Sequence, residues 1–200
     1  MLQTSNLEKN SKAIMLFLIT LGYVLLLATF LKHIIAEINY ADSIRLTKNL
    51  VLKDALTKAN IAVKMNPKEP RYFYNKSKVL LLSEGPKDEV LKNLQTALEL
   101  NPNNLVTLKN TTHYYYFLAV KNLEFSSKIS GNLEEPYLTL AKTFFSNLKT
   151  TYSNDAGVMV IAAKYERSLN LTKEYNETIK RIAELRPDLL NWHPELITPK

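Results

Sequence analysis

Three stretches of this chain close alike, and their spacing constrains the fold more than any other feature. Ala62-Val63-Lys64-Met65-Asn66-Pro67, Ala97-Leu98-Glu99-Leu100-Asn101-Pro102 and Ala183-Glu184-Leu185-Arg186-Pro187 each lead from an alanine to a proline. The first two prolines lie 35 residues apart. A fourth ending, Leu148-Lys149-Thr150-Thr151-Tyr152-Ser153, lies 34 residues before Pro187, with serine in the proline's place. That period suits two antiparallel helices, each too short to be stable alone, which stack so that neighbouring units bury one another's apolar faces. Proline closes each unit because it cannot continue a helix, while its fixed φ suits the turn into the next one. The apolar spacing agrees. Val90, Leu91, Leu94, Ala97 and Leu98 fall on one helical face, as do Ala141, Phe145 and Leu148, and Tyr175, Ile179, Ile182 and Ala183. In the first unit Ala55, Ala59 and Ala62 are small enough for close helix approach.

The 4 glycines and 8 prolines are too few to turn many short strands, so the chain is expected to be all-α. With Tyr74, Leu81, Val90, Leu94, Ala97 and Pro102 in place, it resembles the tetratricopeptide repeat (TPR) family, and EVLKNLQTALELNPNN, residues 89–104, is near that consensus. Ser77 and Lys78 stand where the family has a Leu-Gly pair. The resemblance implies a TPR-like α-solenoid of about four helix-hairpin units over residues 34–187 and a protein-interaction function. Pro102 and Ser153 are 51 residues apart, about 17 more than one period, so residues 121–136 read as an inserted surface loop. The tail, 188–200, with the lone Trp192, is either a cap on the last unit or a loose end.

Before the repeats, after an N-terminal flank of residues 1–12, Ala13 to Leu31 carries no charge over nineteen residues. As a helix it is roughly 28 Å long, the thickness of a hydrocarbon core. Lys9 and Lys12 precede it and Lys32 follows, while the exit sequence Thr29-Phe30-Leu31-Lys32-His33 offers no small-x-small cleavage site, so the segment reads as a transmembrane helix rather than a signal peptide. Lys32, Arg45 and Lys48 outnumber the basic residues of the flank, which places the repeats on the cytoplasmic side of a single-pass membrane protein. A span followed by TPR-like units also resembles the C-terminal tail of bacterial O-antigen ligase or polymerase-like membrane proteins. That resemblance implies a tail or split subunit of an envelope polysaccharide enzyme, or association with multi-span membrane proteins, and carries no catalytic residue with it.

In the TPR family the first helix of each unit lines the concave face. Registering each unit from its closing residue places Asn75, Lys109, His113, Tyr116, Lys164 and Arg167 there. Such a groove suits a protein or peptide partner of acidic character, since Lys and Arg supply charge-assisted bonds and Asn satisfies the peptide backbone. The runs Tyr72-Phe73-Tyr74 and Tyr114-Tyr115-Tyr116-Phe117 point their rings to different faces. Tyr74, Tyr115 and Leu118 are expected between helices, and Tyr116 in the groove with its hydroxyl available.

Other chemistries are poorly served. The net charge of +7 admits anionic partners, yet no basic run or nucleic-acid motif accompanies it, and nucleic acid is not expected. Zero cysteines exclude disulfides and thiolate sites. His33, His113 and His193 stand in no metal-ligand spacing, and no phosphate loop or nucleophile elbow is present. No catalytic, cofactor or metal residue is therefore expected. The reading is a membrane-anchored, non-enzymatic adaptor, held to the lipid bilayer by residues 13–31.

Overall fold

The computed structural model describes residues 2–102, 104–120 and 133–198, with side chains from residue 14 onward. It divides into two compact units, Met1–Lys68 and Glu69–Lys200.

The first unit is a hairpin of α1 (Leu2–Lys48) and α2 (Leu52–Met65). At 47 residues α1 is about 70 Å long. Its sequence has no proline, and Gly22 is its one glycine, so nothing stops the helix where the apolar run ends. Ile14 to Leu31 is exposed around almost its whole circumference. A helix that is apolar on every face belongs in a bilayer or in a larger core, and this one is long and apolar enough to cross a membrane. Its two threonines are satisfied internally: Thr20 donates to Leu16 O and Thr29 to Leu25 O, both at 2.9 Å. The last third of α1 changes character. Ala36, Asn39, Ser43 and Thr47, four residues apart or nearly so, are buried along the hairpin whose other half buries Ala55, Ala59 and Ala62. The apolar run and the first helix of the first hairpin are thus one continuous element.

The second unit contains α3 (Pro70–Leu82), α4 (Lys87–Leu100), α5 (Leu105–Ala119), α6 (Glu135–Thr151), α7 (Ala156–Ser168), α8 (Thr172–Leu185) and α9 (Asp188–Trp192), then a 3-10 turn at Pro194–Leu196. The helices pair as α3/α4, α5/α6 and α7/α8, and successive hairpins stack. Val90, Leu94, Ala97, Ala141, Phe145, Leu148 and Ile182 form the predicted core stripes and are buried; Ala183, one residue off its stripe, is exposed. Asn104 and Asp155 cap α5 and α7 by accepting from Thr107 N and Val158 N, each at 3.0 Å.

Three of the four hairpins turn by the same device. Leu50, Glu84 and Asn170 have φ of 59°, 54° and 57°, and the next residue's N–H reaches back to the carbonyl five residues earlier: Val51 to Leu46, Gly85 to Leu80, Leu171 to Glu166. These are Schellman closures built without glycine at the left-handed position. Gly85 fits closely for a different reason, since a Cβ there would stand 3.0 Å from Leu80 Cδ2 and 3.2 Å from Leu80 O, and Leu80 would have to shift.

The remaining hairpin, α5/α6, contains the segment 121–136 expected as an insertion, of which Glu135 and Pro136 already belong to α6. Residues 121–132 lie outside the described residues, but both ends of the segment are held. Val120 bridges Leu133, Glu134 N donates to Ala119 O at 3.0 Å, and Lys87 of α4 donates to Leu118 O, Val120 O and Glu134 Oε1 at 2.9, 2.8 and 2.8 Å. One ammonium thereby caps the open C-terminus of α5 and ties the returning chain to it. The tail caps the last hairpin through Leu196, which is buried with Met159, Ala163 and Ile182, while Trp192 stays 69% exposed.

Candidate functional site

In the second unit the first helices of successive hairpins touch, α3 with α5 and α5 with α7, and the second helices α4, α6 and α8 do not pack comparably on one another. A stack whose first helices crowd and whose second helices spread curves with the first helices inside. The inner face therefore consists of α3, α5 and α7, the helices that carry all six sequence-predicted groove residues.

Their environments differ. Asn75 of α3 is only 5% exposed and is already engaged. On α5, Lys109 is half-buried with its Nζ 4.0 Å from Asp155 Oδ2, at the start of α7. His113 is half-buried; its ring lies 3.7 Å from the Tyr114 ring and edge-on to Phe117 at 6.1 Å. Burial, aided by the charge of Lys78, lowers its pKa to about 4, so at neutral pH it is an uncharged hydrogen-bonding ring. Tyr116 is 4% exposed, packed on the Tyr165 ring at 5.2 Å, and burial followed by the Tyr165 neighbour raises its phenol. On α7, Lys164 is exposed, and it adds to the backbone and His193 hydrogen bonds that hold the Glu195 carboxyl low. Arg167 donates to Thr198 O of the tail. Lys109, His113 and Tyr116 are each held by a different neighbour, Asp155, Tyr114 and Tyr165.

Two residues on this face escaped the sequence reading. Lys78 is exposed on α3, one turn beyond Asn75, and its charge reaches His113 on α5. Tyr165 connects the aromatic layer, with Tyr116 on one side and Phe145 at 6.2 Å on the other. Helical periodicity from Asn75 would have found Lys78; Tyr165 is visible only once α5 and α7 are neighbours. Tyr115 lies beneath the face, stacked on Phe144 at 4.1 Å and 6°, and burial pushes its phenol up to about 12. Lys78, Lys109 and Lys164 thus stand on three successive first helices, of which α5 and α7 also carry the packed rings of Tyr116 and Tyr165.

Two clefts open beside this face, and Arg167 lines the first of them. One of about 320 Å³ between α7, α8 and the tail is lined by Arg167, Tyr175 and Leu196–Thr198, and Tyr175 donates to Leu196 O. Another, of about 560 Å³, opens between α6 and α8 over Lys149, Thr178 and Arg181. Behind it Glu166, 1% exposed, bonds Lys149 at 2.6 Å and Thr178 at 2.7 Å, joining three helices. Among the described residues no group of three or more His, Cys, Asp or Glu is placed to hold a metal ion.

No protein-family model matches the sequence, and no curated protein matches it. Solved structures do. TTC0263, a thermophilic TPR protein of Thermus thermophilus, is 17% identical with a TM-score of 0.50, the match covering 76% of this chain and 75% of that one. The MamA RS-1 ArsTM double mutant is 14% identical at TM-score 0.53, covering 81% of each chain. YrrB, a TPR protein with an unusual peptide-binding site, is 19% identical at TM-score 0.51, covering 80% of this chain and 74% of that one. At these identities the likeness is one of fold: this chain is an all-α protein of packed hairpins with a TPR-like arrangement, preceded by a long apolar helix.

Proposed function

We propose that this chain is a membrane-anchored adaptor that docks an acidic peptide segment of a partner protein on the face of α3, α5 and α7, and that it is not an enzyme. The observation that carries the reading is the presence of Lys78, Lys109 and Lys164 on three successive first helices, with the neutral His113 on the middle one. Opposing carboxylates are sparse there: Asp155 is 4.0 Å from Lys109, and Glu195 lies near Lys164. Lysine ammoniums bond carboxylates with charge assistance, and a multi-helix face extends that recognition over several residues of an extended ligand. The peptide-binding site named for YrrB supports the same use of the fold. In this reading Ala13–Leu31 spans a bilayer and the repeats face the cytoplasm. The span confines the docking face to two dimensions and raises its effective concentration near other membrane proteins.

The test is binding of an acidic peptide by the full-length protein in detergent micelles, read by fluorescence anisotropy. Lys109→Glu with Lys164→Glu should lower the affinity at least tenfold, and Lys109→Gln with Lys164→Gln by less. Affinity unchanged by the reversal would remove this face from the function.

A second reading has the order of segments behind it, an apolar span followed directly by TPR-like hairpins: a tail or split subunit of an O-antigen ligase or polymerase-like enzyme. A reading frame continuous with further upstream spans would favour it.

A further inference from the structure

The first hairpin folds back toward the apolar run, and this brings together cations that the sequence keeps far apart. Ser43 Oγ donates to Ala55 O at 2.9 Å, and Asp42 lies 3.7 Å from Lys58, which sets α1 and α2 antiparallel in a known register. Counting outward from that register at about 1.5 Å per residue, Lys64 is level with residues 34–35 of α1. Lys68 lies three residues past Met65, the end of α2 that points toward the apolar run, and so within about 10 Å of that end. Lys32 directly follows the run. By the same count Arg45 and Lys48 stand about 20–25 Å farther along the helix. After Lys32, the basic residues next in sequence on α1, Arg45 and Lys48, are therefore farther from the end of the run than Lys64 of α2.

We propose that Lys32, Lys64 and Lys68 form a basic collar that binds the anionic phospholipid headgroups of the leaflet where α1 leaves the bilayer. This rests on the reading of Ala13–Leu31 as a span. All three lysines are exposed, and none is in an ion pair with a described residue. The cations in the middle of the hairpin are different: Arg45 and Lys58 share Asp42 at 2.8 and 3.7 Å. The groups facing the collar are His33 and Glu37 on α1, and the adjacent Glu69 is spent on Arg71 at 2.8 Å. Ile34, Ile35 and Ile38 are also exposed on this stretch, so the helix enters the headgroup layer with apolar side chains between its cations, as interfacial segments do. The uninterrupted helix fixes the height of the collar above the hydrocarbon without any linker. A lysine near an anionic membrane surface contributes roughly fivefold to lipid preference, a contribution that salt screens.

The chain lacks cysteine, so Asn66→Cys gives one labelling site at the end of α2 for a fluorophore on the full-length protein. The labelled protein is reconstituted in phosphatidylcholine vesicles containing equal amounts of phosphatidylglycerol, with bromine carried on one lipid or the other. Brominated phosphatidylglycerol should quench several-fold more effectively than brominated phosphatidylcholine. That preference should vanish in 1 M salt and in the K32Q/K64Q/K68Q variant, and persist in K48Q/K53Q at the far end of the hairpin. Equal quenching by the two lipids, or a preference lost equally in K48Q/K53Q, overturns the collar while leaving the span intact. If the protein does not float with the vesicles, the span and the collar fall together.

Discussion

The contact between α6, α7 and α8 is set by one buried acid, and removing its partner should cost more than removing both. Glu166 is 1% exposed; its Oε1 is 2.6 Å from Lys149 Nζ, and its Oε2 accepts from Thr178 Oγ1 at 2.7 Å. Lys149 also donates to Thr178 Oγ1 at 2.8 Å, and that hydroxyl lies 2.8 Å from Glu174 O. Lys149→Met strands a carboxylate in the interior, for which the cost is about 3–5 kcal/mol. Glu166→Leu strands an ammonium that retains some contact with water, and about 2–3 kcal/mol is expected. With both replaced, the interior holds apolar groups of similar volume and no orphaned charge, so the double variant should lie within about 1–2 kcal/mol of the parent. The coupling energy is then about 4–6 kcal/mol. Urea unfolding of the full chain in a mild detergent, followed by helical circular dichroism, measures it if the slopes agree among variants. Additive single costs, or a Lys149→Met cost below about 1 kcal/mol, would refute the assignment of this network as the lock between the last two hairpins.

Three further outcomes follow from the same geometry. Glu84→Gly should stabilise the protein by about 1 kcal/mol in the same assay, because glycine adopts the left-handed conformation at φ 54° without the Cβ penalty. Lys87→Met should cost about 2–3 kcal/mol, since two carbonyl oxygens at the end of α5 and the Glu134 carboxylate before α6 lose a charged donor, and amide exchange should rise first at the end of α5. His113 should titrate near pH 4 by NMR. Its folded pKa lies below the unfolded value of 6.5, so the unfolded chain binds the proton first; stability is complete above about pH 6.5 and declines on the order of 1–2 kcal/mol as the pH falls toward 4, solvent screening reducing the full effect.

The proline register made the second helices legible. α2, α4 and α8 end at Met65, Leu100 and Leu185, each two residues before Pro67, Pro102 and Pro187, because proline can neither donate to nor fit within the preceding turn. The core stripes were legible for the same local reason, as the burial of Val90, Leu94 and Ala97 shows. The continuity of α1 required noticing what was absent, a breaker anywhere between Ala13 and Lys48 apart from Gly22. The site was legible only as far as its helices. Placement of Lys109, His113 and Lys164 on first helices follows from the repeat, whereas the burial of Tyr116 depends on Tyr165, 49 residues away. Polar locks were invisible in sequence: Ser77, where the family has Leu-Gly, bonds Val90 O at 3.2 Å, and Glu166 finds Lys149 on another helix. A lone Ser, Lys or Glu looks like surface until its neighbour is known.

The most direct measurement of the central claim is photo-cross-linking of an acidic peptide to the full-length protein, with the cross-linker placed in turn at Lys78 on α3 and at Gln95 on α4, both exposed. Docking on the first-helix face predicts a peptide adduct from position 78 that disappears with Lys109→Glu and Lys164→Glu, and none from position 95. An adduct at position 95 alone, or one at position 78 indifferent to those reversals, would contradict it.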